Sequence, residues 1–193
     1  MHALWAAIVA AKAHHGALPL LHLKASTDSV NIIPLRNLLV QLGAQLRSLH
    51  LSVHRSRHER SLDPCAGIRR ISVRVDGPNN IAAGTLAPCT ALLATLPREA
   101  PLEHIAVTIT YFGKESLHSC QFAVDASTLD EHLAGRETLR QVDWSLVYAG
   151  RGDGDVLKDP SDAIGLFLPH LPQLAERADV KMAWVIRVIP GLE

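Results

Sequence analysis

Three histidines, His50, His54 and His58, stand four residues apart. On a helix that spacing would line one face with imidazoles and could hold a zinc ion. His50, however, belongs to the alternating run Leu49-His50-Leu51-Ser52-Val53, which reads as a strand. His54 and His58 stand among polar residues, so solvated histidines are the expectation. His118-Ser119-Cys120 offers ligand types without a second pair nearby. Asp153, Asp155, Asp159 and Asp162 suggest a calcium loop, yet their spacing misses the loop pattern and no closing Glu follows. A solvated turn is the simpler reading. Arg151-Gly152-Asp153 spells an integrin-type tripeptide and is taken as a chance loop sequence. No metal and no cofactor is expected.

Nor does catalysis find a motif. The chain has no G-x-S-x-G elbow and no G-x-G-x-x-G or G-x-x-x-x-G-K-[ST] phosphate loop. An enzyme is therefore not expected. Charge is balanced, with 19 Lys and Arg against 19 Asp and Glu, which argues against a nucleic-acid binder. The cysteines, Cys65, Cys89 and Cys120, form no C-x-x-C pair, and an odd count leaves one unpaired. A reducing compartment, cytoplasmic or nuclear, fits best. Residues 4–11 are apolar, but no Lys or Arg precedes them, so a signal peptide is not expected. The run is also shorter than the roughly 20 residues of a membrane span, and no membrane partner is expected.

The elements that would position any binding residues are clearer. Leu102, Ile105 and Val107 take the spacing L-x-x-L-x-L. It recurs at Leu18/Leu21/Leu23, Leu46/Leu49/Leu51, Ile68/Ile71/Val73 and Leu139/Val142/Trp144, with a looser copy at Val180/Met182/Trp184. The last two apolar positions of each copy stand two apart and share one face of a strand. Strands are expected at 18–24, 46–53, 68–75, 102–111, 142–148 and 180–188, with a minor one at 121–124. Their starts are spaced by 28, 22, 34 and 37 residues, then by about 38. Each interval holds a helical crossover to a parallel neighbour. Helices are expected at 3–14, 34–45 and 88–96, from Thr128 toward Leu139, and after a Ser161 cap near Asp162, ended by Pro169 and Pro172. One unit cannot bury its own apolar face, whereas stacked units bury each other's.

The phrases "LRSLHLSV" (46–53), "LPREAPLEHIAVTITY" (96–111), "LRQVDWSLV" (139–147) and "LPHLPQLAERADVKM" (168–182) carry a resemblance. Over about residues 18–188 the sequence resembles the irregular leucine-rich half of fungal F-box proteins. The resemblance implies an α/β leucine-rich-repeat solenoid. Its curved parallel sheet would have five or six strands, with helices on the convex side. It also implies an arc that recognises a protein partner. In that family an N-terminal F-box binds the Skp1 subunit of a ubiquitin ligase. Two departures matter. The usual Asn three residues beyond the strand is replaced by Ser26, His54, Asp76, Thr110 and Val147. Leu96-Pro97-Arg98-Glu99 looks like the opening of an F-box, but Pro101 and the strand after it deny the helices that should follow. Skp1 binding is therefore carried to no residue here and would need an F-box upstream of Met1.

The whole chain, 1–193, is read as one domain, with 1–16 a helix covering one end. The function expected is a non-enzymatic protein-interaction module, by resemblance the substrate-recognition part of a ubiquitin-ligase adaptor. Two rivals stay open, a stand-alone or degenerate repeat fragment and a small α/β enzyme. The outward strand positions would make the partner surface: His22, Lys24, His50, Ser52, Arg70, Ser72, Arg74, His104, Thr108, Gln141, Asp143 and Ser145. Seven arginines between Arg47 and Arg74, and seven acids between Asp143 and Asp179, suggest a face basic at one end and acidic at the other.

Overall fold

The computed structural model describes residues 22–27, 37, 39–54, 61–76, 86–111, 120–148 and 159–189. Six strands form one sheet: β1 (His22–Thr27), β2 (Ser48–His54), β3 (Arg70–Asp76), β4 (His104–Tyr111), β5 (Gln141–Tyr148) and β6 (Lys181–Val188). They lie in sequence order, and every pairing is parallel. The architecture is thus α/β, with one parallel six-stranded sheet.

The repeated spacing explains the rungs. Leu23, Leu49, Ile71, Ile105, Val142 and Met182 align across all six strands. So do Ala25, Leu51, Val73, Val107, Trp144 and Trp184. The first apolar residue of each unit, Leu46, Ile68, Leu102 and Leu139, lies under the turn that leads into its strand, at 0% exposure. Burying each such side chain contributes about 1.5–3 kcal/mol. Tight turns place three of them: the Leu46, Ile68 and Leu139 N–H groups donate to Gly43, Cys65 and Arg136 carbonyls at 3.2 Å. Just before the strands, the Arg47 carbonyl accepts from Arg69 and Arg70, Arg69 from Glu103 and His104, and Glu103 from Arg140 and Gln141.

Helices cover the apolar face, and their buried residues join one core cluster with the strands. They are α1 (Ala87–Ala94), α2 (Cys120–Ala134), α3 (Pro160–Phe167) and α4 (Pro172–Glu176). Residues 39–42 are helical and run into a 3-10 turn at Gly43–Gln45. Two buried carboxylates cap neighbouring helices. Asp125 of α2 accepts the Leu86 and Ala87 N–H groups at the start of α1, at 3.1 and 2.9 Å. Asp130 of α2 accepts those of Gln173 and Leu174 at the start of α4, both at 2.9 Å. Arg136 donates to the Pro97 and Leu96 carbonyls at 3.0 and 2.9 Å, closing the end of the preceding unit. An aromatic cluster fills the far end, where Phe167 meets Phe122 edge-on at 4.7 Å and Trp144 stacks on Trp184 at 5.6 Å.

Several expectations are corrected. The first unit is shifted by two residues, because Leu23 rather than Leu21 aligns with Leu49. Ala25 takes the second inward place; its small side chain gave no apolar signal, and Leu21 mimicked the spacing. The register interval is therefore 26 residues rather than 28. The minor strand at 121–124 is helix, and α2 begins at Cys120, not Thr128. Phe122, Ala126, Leu129 and Leu133 mark its buried stripe, whereas Val124 is exposed. Leu139 is not a helix contact but the first residue of the next unit. The cap of α3 is Asp159, whose carboxylate accepts the Ser161 N–H at 2.8 Å. Pro160 needs no acceptor at the first position, so the cap falls before it. The covering helix at 3–14, the start of the 34–45 helix, His58, His118, Asp153, Asp155 and the Arg151-Gly152-Asp153 tripeptide lie outside the described residues.

Candidate functional site

Alternate residues of each strand face away from the helices. This second face is polar, and the register sorts it into rows. The first row holds His22, Ser48, Arg70, His104, Gln141 and Lys181. The second holds Lys24, His50, Ser72, Ala106, Asp143 and Ala183. The third holds Ser26, Ser52, Arg74, Thr108, Ser145 and Val185. All twelve outward residues expected from the sequence thus fall in three adjacent rows. The two-residue shift of β1 leaves His22 and Lys24 on this face, because a shift by two preserves parity. Sequence reasoning missed Ser48 and Lys181. Ser48 could have been found from its place next to Leu49, and Lys181 by treating the loose sixth unit like the others.

Charge on this face is not divided as the sequence suggested. Lys24, Arg70, Arg74, Lys181 and Arg187 occupy it at both ends and are exposed. Asp143 sits between them, and the described acids Asp159, Asp162, Glu176 and Asp179 lie outside the sheet. Linear charge density misled here because it ignores which face a residue takes. Asp143 is also engaged: His104 Nε2 lies 2.7 Å from one carboxylate oxygen, and Gln141 Nε2 donates to the other at 2.7 Å. The three side chains span two neighbouring strands and fix each other's orientation.

On the basic side, Lys24 and Arg74 flank His50. Partial desolvation, then the positive charges of Lys24 and Arg74, hold the His50 imidazole below its usual range. A neutral ring can donate one hydrogen bond and accept another. The next row changes character: Thr110 and Val147 are on the same face yet buried. Their burial bounds the polar strip toward the strand C-termini.

At the strand starts the charges are paired. Arg69 bonds Glu103, and Asp179 accepts from Arg140 at 2.5 Å and from Arg177 at 2.7 Å. These contacts are exposed and join successive units, as expected of register clamps rather than a reactive centre. Cys65 and Cys89 are buried and free, and burial pushes their thiols up to about 11 and about 12. Neither is poised as a nucleophile. Among the described residues no group of three or more His, Cys, Asp or Glu is arranged to hold a metal. No helix among them is long and apolar enough to cross a membrane. No family model, curated protein or solved structure gives a significant match to the chain.

Proposed function

We propose that the chain is a non-enzymatic protein-interaction module, an irregular leucine-rich-repeat solenoid whose polar sheet face holds an extended segment of a partner protein. One observation carries the reading. Six parallel strands in sequence order keep their rows without a shift, so side chains distant in sequence form a continuous polar strip. Strips of that kind suit an extended chain, whose own side chains repeat at the same period. By its resemblance to fungal F-box proteins, the wider role would be substrate recognition for a ubiquitin ligase.

Capture of partners on the immobilised protein, compared with the Arg70→Glu/Arg74→Glu variant, tests this. Both arginines are exposed, so each change should alter stability by no more than about 0.5 kcal/mol. A partner should be lost from the variant while its melting temperature holds. Identical capture by both proteins would remove the basic strip from the binding surface. Recovery of Skp1 with the bound material would support the ligase role.

A further inference from the structure

The basic end of the polar face has a spacing that selects a ligand. Each of its three rows carries one long cation: Arg70 in the first, Lys24 in the second and Arg74 in the third. Successive rows lie two residues apart along the strands, or about 6.6 Å. Lys24 stands on β1 and the arginines on β3, about 9.6 Å apart across β2. Between them β2 presents Ser48, His50 and Ser52. The result is a trough with a floor of two small side chains and an imidazole, and cations along both walls. Asp76 shares the fourth row with His54 and closes the trough at its far end.

From this arrangement we infer that the trough over β2 binds an extended protein segment with acidic side chains at every second position. In such a segment side chains i, i+2 and i+4 share one face and repeat every 6.6 Å or so. That is the repeat of the rows. One carboxylate then meets Arg70, the next Lys24, and the third Arg74. Ser48 and Ser52 supply hydroxyl donors between them. Asp143 does not repel this ligand, because it lies two strands beyond β3 and is held by His104 and Gln141. A polyanion running across the strands would meet Asp143 after leaving β3, which favours a short acidic segment lying along β2 over a nucleic-acid strand. Desolvation and the nearby cations that hold His50 neutral agree with a positive field in the trough.

The inference rests on the reading of the polar face as the partner-binding surface. Fluorescence anisotropy with three labelled probes at physiological ionic strength tests it. The probes are a nine-residue peptide with Glu at alternate positions, a peptide of the same composition with its Glu residues consecutive, and a single-stranded oligonucleotide of equal charge. The alternating peptide should bind tightest. Lys24→Gln, Arg70→Gln and Arg74→Gln should each weaken it about threefold, the scale of an exposed ion pair. Circular dichroism melts would confirm that the variants fold. Equal binding of the two peptides, or tighter binding of the oligonucleotide, would overturn the inference. If the charge-reversed double variant still loses its captured partner in that case, the polar face remains the binding surface and only the acidic spacing fails.

Discussion

Asp130→Ala should be among the most damaging single changes in this protein, although Asp130 touches no part of the polar face. Its carboxylate is 1% exposed and accepts the Gln173 and Leu174 N–H groups, each at 2.9 Å. Helix α4 is only five residues long and begins with Pro172, so these bonds supply most of what its first turn lacks. Bonds to a charged acceptor contribute about 1.5–3 kcal/mol each. The carboxylate's own desolvation offsets part of this, leaving a net loss of about 3 kcal/mol. Asp159→Ala is the control: its cap is exposed and should cost about 1 kcal/mol. Urea unfolding followed by tryptophan fluorescence would compare them, since Trp144 is in the core and Trp184 packs on it. With a slope near 2 kcal/mol/M, Asp130→Ala should lower the midpoint by about 1.5 M and Asp159→Ala by about 0.5 M. Equal midpoints for the two variants would refute the reasoning that a buried carboxylate ties α2 to α4.

Glycine substitutions should divide by what a methyl group meets. A Cβ on Gly43 would lie 2.3 Å from the Pro64 carbonyl oxygen, so Gly43→Ala should cost about 2 kcal/mol or more in thermal unfolding. Gly165 in α3 has nothing within 4 Å, and Gly165→Ala should stabilise by about 0.5–1 kcal/mol. Acid sensitivity should trace partly to His132. Burial, then the Leu93 carbonyl acting in opposition, then the Arg136 and Arg98 charges leave its ring below the usual range. The unfolded chain therefore takes up the proton first. Its stability contribution is whole above about pH 6.5 and is lost as pH falls below that toward the lower folded value. His132→Gln should flatten the melting-temperature slope between pH 7 and pH 5, about the range over which this ring titrates; an unchanged slope would assign it to other groups.

The sheet was legible in the sequence because a two-residue period survives wherever bulky apolar side chains mark it. Leu49/Leu51 and Ile105/Val107 place their strands directly. Ala25 has too small a side chain to mark its place, so β1 was read two residues early, while its outward residues kept their face. The helices were less legible. In 121–124 the run Gln-Phe-Ala-Val imitates a short strand, and only Ala126, Leu129 and Leu133, packed at 0% exposure, give Phe122 its helical partners. Contacts between units were not legible at all: nothing in the local sequence says that Asp125 and Asp130 point at different helices. Of the candidate site, the membership of the face could be read, but its charge balance could not. That balance depends on the alternation that sends Arg69 to the strand-start edge and Arg70 to the polar face.

The register intervals between successive strands are 26, 22, 34, 37 and 40 residues, yet no row slips by one position. Length variation is therefore absorbed outside the sheet. The two sides of the molecule obey different rules of change. Connecting segments can gain or lose whole residues without moving a side chain on the polar face. A single deletion within a strand would exchange its inward and outward residues. Descendants of this chain are thus free to remodel its back by insertion and its front only by substitution.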